Sequence, residues 1–126
     1  MDLQLTGKTA LVTGATAGIG LAIARTLAQE GVAVTLTGRD PAKLQKAAAT
    51  ITDATPDAQV STVVVDLGTL EGAEALFAAC PDTDILINNL GFYEAKAFAD
   101  INDEDWLRMF NTNVMSGVRL SRHYFP

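Results

Sequence analysis

The chain has few of the residues that build disulfides, metal centres or nucleic-acid surfaces. Its 126 residues include one cysteine, Cys80, and one histidine, His123, so no disulfide forms within the chain and we predict no metal site. We expect Cys80 to be a small buried residue and His123 to be exposed, without catalytic partners. Lysine and arginine number 9 against 15 acidic residues, a net charge of −6. Cations so few and scattered exclude a nucleic-acid partner.

The chain also lacks long apolar runs. None approaches the roughly 20 residues of a transmembrane helix, and residues 1–8 do not read as a signal peptide. We therefore expect no membrane partner and a cytoplasmic location. Apolar residues make up 48% of the chain and charged residues 19%, the composition of a globular protein. A chain of 126 residues is long enough for one domain with its own core.

Short apolar runs alternate with helical patterns along the whole sequence. We predict strands at residues 9–13, 32–37, 60–65 and 85–87. Helices are predicted to begin at Gly18, behind a capping Asp40, behind Thr69 and behind Asn102. This alternation predicts parallel strands joined by right-handed crossovers, and so a doubly wound parallel α/β sheet of Rossmann type with four strands. Ligands of such sheets bind at the carboxyl ends of the strands, where the strand order reverses.

A glycine-rich turn follows the first predicted strand and opens the first predicted helix. It reads Thr13-Gly14-Ala15-Thr16-Ala17-Gly18-Ile19-Gly20. Gly14 permits a sharp turn, Gly18 and Gly20 allow close approach of a pyrophosphate, and Thr16 offers a hydroxyl. The alternative is a tight connection whose glycines serve packing alone. Its place between a strand and a helix favours phosphate binding.

Several motifs in order support one family. The glycine turn, Asp66-Leu67, Asn88-Asn89-Leu90-Gly91 and Asn113 together resemble the short-chain dehydrogenase/reductase family, from about residue 7 to the end of the chain. The resemblance implies an oxidoreductase that moves a hydride between a nicotinamide cofactor and a small-molecule alcohol or carbonyl. It implies cofactor contacts at Gly14, Thr16, Ala17, Gly18, Ile19, Gly20, Arg39, Asp66, Leu67, Asn89 and Gly91.

The resemblance assigns roles to the polar residues that follow the third and fourth strands. Asp66 is expected to accept a hydrogen bond from the adenine amino group, with the backbone of Leu67 beside it, or else to cap the following turn or helix. Asn89 and Gly91 are expected beside the cofactor ribose. Asn88 is expected to bond backbone at the strand end. Leu90 stands where the family commonly has alanine, and a larger side chain can crowd the cleft.

The end of the second strand bears on the choice of cofactor. Gly38 stands where the family's NAD-selecting acid is found, and Arg39 follows it. An arginine there pairs with the extra phosphate of NADP. The alternative is an exposed arginine that pairs with Asp40, and Ala17 stands where many NADP-using relatives carry a basic residue. We favour NADP(H) over NAD(H).

The last helix is predicted to place Trp106, Phe110, Asn113 and Gly117 on one face. In this family the asparagine that matches Asn113 holds a water in the proton path to the catalytic lysine. The alternative, drawn from the residues alone, is an asparagine bonded to a neighbouring loop. We expect Asn113 to support catalysis.

The catalytic serine, tyrosine and lysine of the family have no match in the chain. Tyr93 and Lys96 are three residues apart instead of four, and only two residues follow Tyr124. We therefore expect residues 1–126 to be the N-terminal half of a longer enzyme, inactive alone, and a homo-oligomer when complete. Without the strands of the second half, the fourth strand would be an unpaired apolar edge of the sheet.

Two other functions fit the same sequence. The chain could be a non-catalytic nucleotide-binding module that acts as a sensor or partner of a full-length relative. It could also be an inert scaffold whose glycines only pack. Nucleotide binding separates the first from the second, and a downstream Tyr-x-x-x-Lys separates an enzyme from a module.

Overall fold

A computed structural model describes all of residues 1–126, and it contains one parallel sheet of four strands. The strands are β1 Thr9–Val12, β2 Ala33–Gly38, β3 Val60–Val64 and β4 Ile85–Ile87. The helices are α1 Gly18–Gln29, α2 Pro41–Ala54, α3 Leu70–Ala79, α4 Asp103–Phe110 and α5 Ser116–Tyr124. A 3₁₀ turn, Phe98–Asp100, precedes α4, and a π-helical segment, Asn111–Met115, joins α4 to α5. The predicted doubly wound α/β fold is confirmed.

The strand order β3-β2-β1-β4 places the reversal of strand order between β1 and β4. The chain runs outward from β1 through β2 to β3, and then returns to place β4 on the other side of β1. Val12 lies opposite both Leu36 of β2 and Ile87 of β4. The crevice at a topological switch point therefore opens at the carboxyl ends of β1 and β4, directly before the glycine turn.

Alternate residues of β1 face two separate apolar layers. Ala10 and Val12 pack with buried residues of α1 and α2, while Leu11 packs with buried residues of α3 and α5. Both layers are built from fully buried side chains, because β1 lies between two other strands and is covered on both faces. This central strand fixes the position of the turn that follows it.

Three helices carry the side-chain caps that their sequences predict, and α1 carries none. Asp40 Oδ1 accepts from the backbone N–H groups of Ala42 and Lys43, and Thr69 Oγ1 accepts from Gly72 at 3.0 Å. Asn102 and Asp105 form a reciprocal capping box at α4. The cap position of α1 is Ala17, whose side chain has no acceptor. The first turn of α1 thus keeps its N–H groups free.

The last helix is interrupted, which the sequence pattern did not predict. We expected one α-helix behind Asn102, whereas five residues, Asn111–Met115, are wound as a π turn. The buried Ser116 hydroxyl donates to the Thr112 carbonyl oxygen at 2.6 Å, a side-chain bond to the carbonyl four residues earlier. The inserted turn changes the face on which later residues lie, so the predicted common face of Trp106, Phe110, Asn113 and Gly117 does not continue as one regular α-helical stripe.

The ends of α3 and α5 are joined by an aromatic group. His123 stacks on Phe77 at 3.9 Å between ring centroids, and its Nε2 lies 2.9 Å from the Pro81 carbonyl oxygen. His123 is exposed, as predicted, but it has these two partners. Cys80 is half-buried rather than buried, because it follows the end of α3 at the margin of the core.

None of the helices is long and apolar enough to cross a membrane.

Candidate functional site

A cavity of about 830 Å³ opens at the carboxyl ends of the strands, where the fold predicts a ligand site. Its wall is built from the glycine turn, the residues after β2 and β3, the loop after β4, and one side of α4 and the π segment. Six of the predicted cofactor residues line it: Gly14, Thr16, Arg39, Asp66, Leu67 and Gly91. The others, Ala17, Gly18, Ile19, Gly20 and Asn89, lie outside that lining but belong to the same turn or contact it. A smaller cavity of about 370 Å³ lies apart from the turn, along β4 and α5.

The glycine turn delivers the free N-terminus of α1 to this region. The backbone N–H groups of residues 16–20 have no acceptor in the chain. Gly14 and Gly18 adopt left-handed φ angles of 60° and 58°, which turn the backbone sharply between β1 and α1. No acidic residue lies in the first turn of α1. Free donors and the positive end of the helix dipole together suit an anion such as a phosphate.

Gly20 serves close packing inside the turn. It is buried, and a Cβ at this position would overlap the Asn89 side-chain amide and would lie 2.6 Å from the Gly14 carbonyl oxygen. Any larger residue would push the start of α1 away from β1 and β4. Gly20 therefore sets how closely the helix N-terminus approaches the strand ends.

Asn89 ties the glycine turn to β4. Its side-chain amide donates to the carbonyl oxygens of Thr13 at 3.2 Å and Gly14 at 3.1 Å. Its backbone N–H donates to the Thr13 hydroxyl at 3.0 Å. The amide that was expected beside a ribose is thus engaged with the backbone of the turn in this structure.

Asn88 takes a different partner from the one expected. Its amide donates to the Ser121 hydroxyl of α5 at 3.2 Å, and not to backbone at the strand end. The prediction was wrong because successive side chains at a strand end point to opposite sides, so that Asn89 faces the glycine turn and Asn88 faces α5.

Arg39 is an exposed cation at the mouth of the cavity. It follows β2 directly and makes no ion pair within 4.0 Å in the chain. The alternative, a pair with Asp40, is not formed, since Asp40 caps α2. Before it, Gly38 leaves room for the Thr16 methyl group, which a Cβ would approach to 2.7 Å.

Asp66 and Leu67 form the wall beyond β3. Asp66 Oδ1 accepts from the Gly68 backbone N–H at 2.9 Å, so the carboxylate stabilises its own turn, while Thr69 caps α3. Its Oδ2 has no hydrogen bond in the chain. The Leu67 side chain is buried in the second core layer, so Leu67 presents backbone to the cavity.

Asn113 holds the loop that follows β4. Its Oδ1 accepts from the Phe92 backbone N–H at 2.8 Å, and its Nδ2 donates to the Phe92 carbonyl oxygen at 2.9 Å. This is the loop-bonded arrangement that the residues alone suggested. Leu90, just before this loop, is half-buried against the second core layer and also lines the cavity.

Some residues that shape the site had no clear sequence signal. The buried Thr13 accepts from the N–H groups of both Asn89 and Leu90 at 3.0 Å and joins two strand ends. The only sequence signal for Thr13 was its position as a polar residue at the end of a predicted apolar strand. Thr112 of the π segment lies close to Gly68, where a Cβ would come within 2.8 Å of its hydroxyl.

Four charged residues were also missed as a group: Glu94, Lys96, Asp105 and Arg108. They form four ion pairs between the loop after β4 and α4. The hydrogen bonds that the Lys96 ammonium donates to Asp105 and then to Glu94 raise the pKa of Lys96, and the same ammonium, followed by the Asn102 backbone N–H, lowers the pKa of Asp105. Both groups stay ionised at neutral pH.

Neither tyrosine is placed as a proton donor for the cavity. Tyr93 lines the cavity, but Lys96 is paired with acidic side chains. The Tyr124 hydroxyl donates to the Cys80 carbonyl oxygen at 2.5 Å, and burial, with smaller effects from Cys80 and Asp82, raises its pKa. A tyrosine that transfers a proton near neutral pH needs its pKa lowered instead.

Comparisons with a family model, with related proteins and with solved structures agree with one another. The family model described as short chain dehydrogenase matches residues 8–126. The uncharacterized oxidoreductase YvaG of Bacillus subtilis is 49% identical over 98% of the chain, and gluconate 5-dehydrogenase of Gluconobacter oxydans is 34% identical over 98% of it. The crystal structure of L-sorbose reductase from Gluconobacter frateurii, complexed with NADPH and L-sorbose, superposes on the whole chain with a TM-score of 0.91 at 35% identity.

The chain spans about half the length of these relatives. It covers 47% of YvaG, 50% of gluconate 5-dehydrogenase and 49% of the L-sorbose reductase chain. The matching half contains the glycine turn and all four strands described above.

Proposed function

The chain belongs to the short-chain dehydrogenase/reductase family of oxidoreductases, and we propose that it supplies the NADP(H) site of an enzyme that interconverts an alcohol and a carbonyl compound. The observation that carries the proposal is the uncapped N-terminus of α1. Its unpaired N–H groups lie beside a cavity lined by Gly14, Arg39 and Gly91. A cofactor with a pyrophosphate at its centre fits this combination.

The residues present fit the parts of a dinucleotide in order across the sheet. The start of α1 would hold the pyrophosphate, while Asp66 would accept from the adenine amino group through its free Oδ2. Gly91 would lie against a ribose, with Asn89 fixing the turn and the strand end around it. Ala17, Gly18 and Ile19 would line the approach to the pyrophosphate, because all three are exposed at the start of α1.

Arg39 supports NADP(H) over NAD(H). Its guanidinium is exposed at the cavity mouth without an acidic partner, so it is available to the phosphate that distinguishes NADP. An acid at the preceding position would favour NAD, and Gly38 stands there. The L-sorbose reductase that shares this fold is complexed with NADPH, which agrees with this choice.

The bound nicotinamide would supply or accept the hydride, and residues outside 1–126 would supply the serine, tyrosine and lysine. The chain alone is then inactive. Asn113 would support the reaction through its hold on the loop at Phe92 and, by family resemblance, through a water in the proton path. Small hydroxy and keto compounds are the substrate class, since relatives are named for sorbose and gluconate.

We also propose that the complete protein is a cytoplasmic homo-oligomer.

Calorimetric titration with NADPH and NADH tests the cofactor site. We expect NADPH to bind at least about tenfold more tightly, since a hydrogen-bonded charged group contributes about 1.5–3 kcal/mol. Equal affinities would show that Arg39 does not read the phosphate, and no binding of either would reject the nucleotide site.

A second assay separates an enzyme from a non-catalytic module. NADPH oxidation with L-sorbose and NADP⁺ reduction with gluconate should be followed in the whole protein and in residues 1–126 alone. Turnover by the whole protein, with none by residues 1–126 alone, supports the proposal. Nucleotide binding with no turnover on a broad panel of alcohols and carbonyls would favour the module.

A further inference from the structure

The loop after β4 is fastened to α4 by a closed ring of charges. Glu94 pairs with Lys96 at 3.3 Å and with Arg108 at 2.5 Å. Asp105 pairs with the same two cations, at 2.9 Å to Lys96 and 3.7 Å to Arg108. Each carboxylate therefore bridges both cations, and Asp105 is also fixed by the capping box with Asn102. The ring joins the loop after β4 to α4.

Arg108 makes one contact that the other three members do not. Its guanidinium carbon lies 5.1 Å from the centroid of the Phe92 ring, within range of a cation–π interaction. The backbone of Phe92 is held at the same time by both polar atoms of the Asn113 amide. Phe92 is thus held at its ring from α4 and at its backbone from the π segment.

The segment held in this way is a wall of the cavity. Residues 91–94 line it on the β4 side, and Leu107 and Arg108 line it from α4. Arg39 and Asp66 lie on the β2–β3 side, so a dinucleotide that enters with its adenosine there would carry its reacting end toward the β4 side. The position of Phe92 and Tyr93 then limits the room beside that end.

We propose that Arg108 is a positioning residue that sets the substrate side of the cavity by holding Phe92 and Glu94 against α4. The proposal rests on the proposed oxidoreductase function for its kinetic consequence, whereas its structural part stands on the contacts alone. Exposed ion pairs add little to global stability, and Arg108 is 57% exposed. The expected effect of its loss is therefore local to the loop.

The shape of the arginine side chain is essential to this role. A planar guanidinium can stack on a ring while its N–H groups point to two carboxylates, whereas a lysine ammonium forms only point contacts. Arg108→Lys should therefore keep the ion pairs in part but lose the stacking on Phe92. Arg108→Gln should lose both.

Hydrogen–deuterium exchange and kinetics on the whole protein test the proposal, with Arg122→Gln as the matched control. Arg122 is exposed on α5 and belongs to no ion pair. We expect amides of residues 91–97 to exchange about tenfold faster in Arg108→Gln, less in Arg108→Lys, and unchanged in the control. KM for L-sorbose or gluconate should rise several-fold, with kcat and the NADPH Kd within about twofold of the parent.

The outcomes separate this proposal from the function on which it rests. Unchanged loop exchange in Arg108→Gln would overturn the positioning role. Faster exchange with a weakened NADPH Kd and an unchanged KM would overturn its assignment to the substrate side. If the parent protein binds no nucleotide, the proposed function fails, and the exchange result still decides whether Arg108 holds the loop.

Discussion

Thr13 and Asn89 are joined by two hydrogen bonds that close the carboxyl end of the sheet. The Asn89 backbone N–H donates to the Thr13 hydroxyl at 3.0 Å, and the Asn89 amide donates to the Thr13 carbonyl oxygen at 3.2 Å. Thr13 follows β1 and Asn89 follows β4, the two strands between which the strand order reverses. The contact fixes the crevice in which the glycine turn lies.

Replacing Asn89 with alanine should loosen this junction. The carbonyl oxygens of Thr13 and Gly14 would lose their amide donor, at a cost of about 1–2 kcal/mol in the free energy of unfolding. NADPH affinity should fall as well, because the turn is no longer held. Urea unfolding and NADPH titration measure both effects.

Asn88→Ala is the matched control for that experiment. Its amide bonds Ser121 on α5, away from the turn, so it should leave NADPH affinity unchanged. Equal losses of nucleotide affinity in the two variants would contradict the role given to Asn89.

Gly20→Ala should destabilise the protein although alanine is the better helix former. The added methyl group would overlap the Asn89 amide and lie 2.6 Å from the Gly14 carbonyl oxygen. Overpacking of this kind costs about 1–3 kcal/mol, more than the gain of about 1 kcal/mol in helix propensity. The start of α1 must move, so NADPH affinity should fall. Thermal or urea unfolding with NADPH titration measures the change.

Gly117→Ala in α5 provides the comparison. A Cβ there would lie 3.7 Å or more from Asn88, an ordinary contact, so this variant should be neutral or slightly stabilised. A Gly20→Ala protein as stable as Gly117→Ala would mean that α1 has more room beside β4 than the structure shows.

The sequence was sufficient for the fold because its signals are local. The alternation of strands and helices, the caps at Asp40, Thr69 and Asn102, and the sheet class all come from short stretches of chain, and all were confirmed. The π segment was missed because its signal is weak. A five-residue π turn differs from an α-helix only in its bonding, and the apolar spacing around it still reads as helical.

The partners of polar side chains were harder to predict. Asn88 and Asn89 are adjacent and chemically identical, yet one bonds a helix 33 residues later and the other a turn 75 or 76 residues earlier. Which of them faces the turn depends on the direction of one peptide at the end of β4. The ring around Arg108 likewise depends on the path of an irregular loop, which no periodicity encodes.

The Asp84 carboxylate should make stability depend on pH at the acidic end. Hydrogen bonds from the backbone N–H of Thr9 at 2.9 Å, and then from its hydroxyl at 3.2 Å, lower the pKa of Asp84. An unfolded aspartate titrates near pH 4, so the ionised carboxylate stabilises the fold above that pH. This contribution is lost as the pH falls through the lower folded pKa.

Urea unfolding of the parent and of Asp84→Asn between about pH 7 and pH 2.5 tests the effect. The difference in unfolding free energy should be constant near neutrality and should shrink on acidification. Thr9→Val, which removes the hydroxyl but keeps the backbone donor, should preserve most of the pH dependence. A difference independent of pH would show that the charge of Asp84 does not contribute to the free energy of unfolding.

Arg39 should decide between the two nicotinamide cofactors. Arg39→Ala removes the unpaired cation at the cavity mouth, so NADPH affinity should fall about 10- to 100-fold, the effect of a hydrogen-bonded charge, while NADH affinity stays within about twofold. Raising the salt concentration should reduce the difference in NADPH affinity between the parent and Arg39→Ala, because Arg39 is exposed and its charge is screened. Arg25→Ala on the exposed side of α1 is the control and should change neither affinity. Equal losses for NADPH and NADH would mean that Arg39 shapes the site instead of reading the phosphate.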